Sequence, residues 1–330
     1  MKKIFALLLS AALLVTLLAA CGGGNTTDTD TDTQEPATDA STTQVEEQEP
    51  DTGDASKDDP LNQDEIGEKE LLVVSFGTSY NDSRRETIGA IEKAMQTAFP
   101  DYSVRRAFTS QIIIDHVKDR DGVTIDNVEQ ALERAVNNGV KTLVVQPTHL
   151  MNGLEYEELT DELAKYSDSF EKIAIGDPLL TSDADFEAVM TAITDATKDA
   201  ADGKTAICFM GHGTTADSNS VYSKMQTLLT DKGFNDYYVG TVEATPSLDD
   251  VLAAVQKGSY EKVILRPLMI VAGDHANNDM AGDEDDSWKS TFEKAGYTVD
   301  CQVEGLGQLE AIQQLFVEHA KAAVASAEAE

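Results

Sequence analysis

The chain has 330 residues, with 60 acidic against 25 basic side chains and a formal net charge of −35 at pH 7. That length accommodates one large or two modest domains. The charge argues against a nucleic-acid partner, whose phosphates are bound through Lys and Arg with release of counterions, and against docking on anionic lipid by charge. It suits a protein kept soluble outside the cytoplasm and is compatible with attracting cations.

The N-terminus reads as a targeting segment. Lys2 and Lys3 precede an apolar run from Ile4 to Ala20, which is short for a bilayer span. Leu18-Ala19-Ala20 then leads into Cys21 and three glycines. This pattern resembles a bacterial lipoprotein signal peptide (residues 1–20) with its lipobox. The resemblance implies cleavage before Cys21, a diacylglyceryl thioether on its sulfur, and anchoring to the extracytoplasmic face of the membrane. Residues 21–68 follow as the lipidated cysteine and an acidic linker, rich in Thr, Asp, Glu and Gln with Lys57 its single lysine. So little apolar surface cannot offset the entropy of ordering, so a disordered tether is expected. Cys208 and Cys301, the cysteines of the mature body, lie in apolar strand-like segments and read as buried thiols.

From Leu71 the chain alternates short apolar runs with amphipathic stretches. Strands are expected at 71–75, 102–107, 142–146 and 172–175, with helices at 82–98, 127–138, 154–166 and 186–200. The second half repeats the plan, with strands at 205–210, 237–240, 262–266 and 297–302 and a last helix over 308–324. Continuous runs such as Leu71 to Ser75 suit strands buried on both faces. The alternation points to an α/β fold of two similar lobes, residues 69–202 and 203–330, each a mostly parallel sheet flanked by helices.

The halves share more than rhythm. Ser75-Phe76-Gly77-Thr78 ends the first strand of one, and Gly211-His212-Gly213-Thr214 ends the first strand of the other. Later, Pro147 to Glu155 matches Pro267 to His275, with proline and glycine at the same spacing in each. Matched loops in matched order suggest a duplication. Ligands of open α/β sheets sit beyond the carboxyl ends of strands, so these loops should surround one cleft between the lobes. His212 and His275 equip the second lobe chemically. Phe76 and Glu155 stand at the equivalent positions of the first, which is shaped to receive a ligand.

His212 is flanked by glycines that permit close backbone approach. His275 opens a helical segment with Asp279 one turn on, where Asp274 or Asn277 could cap the free N–H groups. Glu243 stands at a strand end before Pro246. Two histidines and a carboxylate make a borderline metal set, without the HExxH spacing of a zinc protease. His149 is a weaker candidate in the first lobe's matched loop, His116 reads as a surface residue and His319 as a packing one. The sequence has no P-loop, no GxGxxG after the first strand and no GxSxG.

These residues fall in stretches that resemble a known family. LLVVSFGTSYNDSR from Leu71, RAFTSQIII from Arg106, DGVTIDN from Asp121, FMGHGT from Phe209, GTVEATP from Gly240, RPLMIVAGDHANNDMAGDEDDSW from Arg266 and GLG from Gly305 are similar to the anaerobic sirohydrochlorin cobaltochelatases, class II tetrapyrrole chelatases of cobalamin synthesis. The similarity covers about residues 71–324. It implies two chelatase-type lobes facing a tetrapyrrole cleft, with His212, Glu243 and His275 at the metal site and a histidine doubling as proton acceptor. It implies Arg106 as a contact for substrate carboxylates; Phe76 and Glu155 join it as substrate-binding candidates from the repeat. No organic cofactor is implied; a divalent metal is the substrate, Co2+ ahead of Fe2+ or Ni2+. The expected partners are the tetrapyrrole, the metal and, through the lipid, the membrane. The export signal keeps a second reading open, a lipoprotein that captures a tetrapyrrole, haem or a metal for a transporter without turnover; assembly with a second copy of the chain is also left open.

Overall fold

A computed structural model describes residues 51–329. The expected signal peptide, Cys21 and the expected linker up to residue 50 lie outside the described residues. Two four-stranded sheets carry the fold. In chain order the strands are β1 (Lys69–Ser75), β2 (Ser103–Phe108), β3 (Thr142–Pro147), β4 (Lys172–Ile175), β5 (Thr205–Gly211), β6 (Tyr237–Thr241), β7 (Lys262–Pro267) and β8 (Thr298–Cys301). The first sheet runs β2-β1-β3-β4 and the second β6-β5-β7-β8, the same order in each. Every pairing is parallel. The register repeats as well: Val74 sits opposite Pro147 in one sheet and Met210 opposite Pro267 in the other.

The helices are α1 (Asn81–Glu86), α2 (Ile88–Ala98), α3 (Gln111–Asp121), α4 (Val128–Asn137), α5 (Leu154–Ala164), α6 (Asp183–Thr197), α7 (Ser220–Asp231), α8 (Leu248–Val255), α9 (Trp288–Lys294) and α10 (Glu310–Ala329). The expected helix over 82–98 is two, because Thr87 turns its hydroxyl back onto the Ser83 carbonyl at 2.5 Å, a bond that bends helices. Gly307 also packs against Thr87 at that point.

Strand periodicity sorts the core into layers. Leu71 and Val73 of β1 and Ile207 and Phe209 of β5 face a shared interior, filled by Ile91 and Met95 of α2, Phe186 and Val189 of α6, Met225 of α7 and Phe316 of α10. Leu72 and Val74 face the other way, onto Leu132 and Leu159. Cys208 and Met210 do the same against Val251, Trp288 and Phe292. Each such side chain contributes about 1.5–3 kcal/mol by leaving water, which is why both sheets read as continuous apolar runs. A lobe boundary at 203 divides the sheets but not the helices: α10, last in the chain, packs on β3 and β4 of the first sheet.

The linker expectation is corrected between residues 51 and 68. Leu61 is buried in the shared core. Asp58 accepts from Arg84 Nε at 2.6 Å and from Arg106 Nη1 at 2.7 Å, with all three side chains buried. Average composition misses this segment because one leucine and one aspartate, aimed at buried arginines of the body, suffice to dock it.

Candidate metal centre

His212 follows β5 directly. A Cβ on Gly211 would lie 2.1 Å from the Tyr222 ring, and Gly213 has φ +88 and sits against Ala244. Both flanking positions therefore require glycine. Asn219 Oδ1 accepts from the Thr214 N–H at 3.0 Å and pins the loop. The β5–β6 ladder continues past its last pair: Val242 N–H donates to Gly211 O at 3.0 Å and Glu243 N–H to His212 O at 2.9 Å. This extension sets the carboxylate of Glu243 beside the imidazole of His212.

His275 lies beyond the end of β7, at the start of one π-helical turn, Ala276–Met280. The expected one-turn partnership forms, with His275 Nδ1 and Asp279 Oδ2 2.8 Å apart. The capping expectation is corrected. Asp274 accepts from the Asn278 side-chain amide at 2.7 Å, and Asn277 donates to Gly273 O at 2.8 Å.

These contacts assign the tautomers. His212 Nδ1 lies 2.7 Å from the Gly213 carbonyl, which can only accept, so Nδ1 carries the proton and Nε2 keeps the lone pair. The Asp279 carboxylate fixes the tautomer and orientation of His275 in the same way. The two rings meet edge to face, with centroids 4.6 Å apart. One ligand atom each from His212, Glu243 and His275 falls within 4.8 Å of the others. A metal held at about 2.1 Å from each ligand spans at most about 4.2 Å between them, so a set gathered within 4.8 Å is of the size that one ion draws together. The result is two imidazole nitrogens and a carboxylate, with coordination positions left open. Asp279→Asn is expected to weaken Co2+ binding by about 10–100-fold, read by absorbance titration; an affinity equal to wild type would show that the carboxylate does not set the ring.

A cavity of about 530 Å³ opens over this cluster. Loops at the carboxyl ends of β1, β3, β5 and β7 line it, so both lobes contribute walls. Phe76 and Glu155 come to it from the first lobe, and the Phe76 ring is 49% exposed there. Arg106 does not reach it. Its guanidinium is 1% exposed and is held by Glu92 at 2.7 Å and by Asp58 at 2.7 and 3.0 Å. The expected contact with substrate carboxylates is therefore corrected: those donors are spent inside the protein, on the face of β2 that packs against α2. His116 is exposed on α3, and His319 bridges the Asp177 carbonyl and the Asp185 carboxylate.

One contributor escapes sequence reading, and the weaker candidate His149 is brought to the cavity. Ser83 Oγ accepts from the Ala272 N–H at 3.0 Å, so α1 of one lobe supports the loop that carries His275. His149 also lines the cavity, and burial pushes its pKa down to about 4, against a smaller opposing effect of Glu155. Its folded pKa lies below the ordinary 6.5, so the unfolded chain binds the extra proton and stability is lost as pH falls from 6.5 towards 4. His149→Gln should flatten that part of the wild-type stability curve, by up to about 3 kcal/mol. Parallel curves for the two proteins in denaturant titrations from pH 7 to 4 would count against a buried neutral ring.

Comparison with known proteins agrees with this architecture. The model of the cobalt chelatase (CbiK) family matches residues 69–325. The sirohydrochlorin cobaltochelatase of Salmonella typhimurium is 38% identical over 251 residues, 76% of this chain and 94% of that protein. The sirohydrochlorin cobaltochelatase CbiKC of Nitratidesulfovibrio vulgaris is 30% identical over 260 residues, 78% and 91% of the two chains. The fold is also that of the SirB structure from Bacillus subtilis with Fe3+, at a TM-score of 0.57 and 14% identity, covering 80% of this chain and 98% of that one. The chain belongs to the cobalt chelatase (CbiK) family.

Proposed function

We propose that the protein inserts Co2+ into sirohydrochlorin. The observation that carries this reading is the convergence of His212, Glu243 and His275 on one cavity walled by both lobes. Insertion requires a hydrated divalent ion to lose water and two pyrrole N–H protons to leave. The Nε2 lone pairs of His212 and His275 replace water on the ion, and Glu243 offsets part of its charge. Three protein ligands leave positions where macrocycle nitrogens can enter and then displace the side chains, so the ion is passed on rather than kept. Neutral imidazoles suit this transfer because they bind divalent ions near neutral pH without the permanence of thiolates. The exposed Phe76 ring in the cavity wall offers an apolar surface to the plane of the macrocycle. Turnover, rather than capture alone, is supported by the cobaltochelatase names of the two relatives.

The choice of Co2+ is part of the proposal, because borderline ligands do not select one first-row ion by affinity. Incubating the full chain with sirohydrochlorin and Co2+, Fe2+ or Ni2+ in turn tests it. Co2+ should give the fastest growth of the metallated absorbance spectrum. No insertion of any ion would overturn the function, and faster insertion of another would overturn the metal.

We also propose that the protein acts outside the membrane on a lipid anchor at Cys21, a reading supported by the segment from Lys2 to Gly24. Among the described residues no helix is long and apolar enough to cross a membrane. Cells fed an alkyne fatty acid should label the wild-type chain and not Cys21→Ser; equal labelling would overturn the anchor.

A further inference from the structure

The cavity wall holds polar atoms that the protein leaves without partners. Both ring nitrogens of His149 and the hydroxyl of Ser218 are shielded from solvent with no hydrogen-bond partner, and both residues line the cavity with the metal ligands. Ser218 lies against the 147–155 loop that carries His149: a Cβ on Gly153 would be 3.3 Å from its hydroxyl. Buried polar groups are almost always paired, so a concentration of unpaired ones at a single cavity wall marks where a ligand supplies the partners.

Counting lone pairs says what His149 can do there. A neutral imidazole has one. In His212 and His275 the Nδ1 atoms are donors to Gly213 O and Asp279, so each ring has only its Nε2 pair, and that pair binds the metal. While the ion is held, neither ring can accept a proton. Insertion nevertheless releases two, as the divalent ion and the protonated macrocycle become the metal complex and two H+.

We propose that His149 is the base that takes these protons, on the first lobe's wall, while His212, Glu243 and His275 hold the ion from the second. The proposal rests on the metal-insertion reading above. The ring nitrogens are shielded in this structure, so the imidazole turns about its Cβ–Cγ bond to meet the macrocycle. In each step a pyrrole N–H bond breaks, its electron pair stays on the macrocycle nitrogen, and the proton forms a new N–H bond on the His149 lone pair. The imidazolium passes that proton to Glu155, exposed in the first turn of α5 just after that loop and close enough for its charge to act on the ring, and Glu155 releases it to water. His149 is then free for the second proton. Burial that keeps the ring neutral leaves its lone pair available before substrate arrives and favours discharge afterwards.

The test compares wild type, His149→Ala and His149→Gln as full chains, checked for folding by circular dichroism. Co2+ binding, sirohydrochlorin binding by fluorescence quenching, and single-turnover insertion are measured for each. Both variants should bind Co2+ and sirohydrochlorin within about threefold of wild type yet insert about 10²–10⁴-fold more slowly. Added imidazole should restore part of the rate to His149→Ala and leave wild type unchanged. If the alanine variant does not fold, the glutamine variant decides, since its amide fills the site but accepts no proton near neutral pH. Insertion within about threefold of wild type, or a slower rate that tracks lost macrocycle binding without imidazole rescue, would overturn the assignment. A wild type that inserts no metal would sink the function as well; an active wild type with equally active variants would sink this step alone.

Discussion

His212→Ala and His275→Ala are each expected to lower kcat/KM for Co2+ insertion by about 10²–10⁴-fold, and the double variant by little more than either alone. The magnitude follows from removing one of three ligands from an ion that must be stripped of water and held at the macrocycle. The lack of additivity follows from geometry. The ligand atoms lie within 4.8 Å of one another and the rings touch at 4.6 Å between centroids, so both act on the same ion, and groups acting as a unit do not contribute separately. Glu243→Gln keeps the shape but removes the charge, and should weaken metal loading more than macrocycle binding. Two single variants that each lose modestly and a double that loses their product would mean that the histidines serve separate steps.

How much of this was legible in the sequence depends on how local each cause is. The strands were, because a strand buried on both faces must be a run of branched apolar residues, and Leu71 to Val74 or Thr142 to Val145 leave little other choice. Apart from the family resemblance, the pairing of His212 with His275 is legible through the repeat, since the matched loops after β1 and β5 and after β3 and β7 carry a topological argument that no single motif does. Glu243 rests in the sequence on the family resemblance alone, and its physical reason is the β5–β6 ladder that runs on to His212 O. The Ser83 contact to Ala272 joins residues far apart in the chain and leaves no local signal. The sequence is misleading at Arg106 for a related reason. An arginine at a strand end resembles a substrate contact until its two carboxylates are located, and one of them, Asp58, lies in a segment whose composition suggests a tether.

That segment carries the largest expected effect on stability. Asp58 accepts from Arg84 at 2.6 Å and from Arg106 at 2.7 and 3.0 Å, with its side chain 3% exposed. Arg84 in turn donates to the Thr78 carbonyl at 3.1 Å and to Asn81, so the aspartate braces the turn from β1 into α1. Removing one partner of a buried ion pair leaves charge uncompensated and costs about 3–5 kcal/mol. Asp58→Ala should therefore lower Tm by roughly 10 °C. Burial alone would raise the Asp58 pKa, but hydrogen bonds and charge from Arg106 and Arg84 outweigh it and hold the group below its ordinary value. The unfolded chain then binds the proton first. The contribution is full above the ordinary carboxylate pKa and is lost as pH falls through the folded one, so wild type and variant should converge in acid. Two truncations separate this brace from the chain before it. Removing residues 1–49 should leave Tm unchanged, whereas removing 1–61 should reproduce the loss of Asp58 and add the cost of exposing the core that Leu61 covers. Equal melting of the two truncations would show that 51–61 is a tether after all, and that Glu92 alone compensates Arg106.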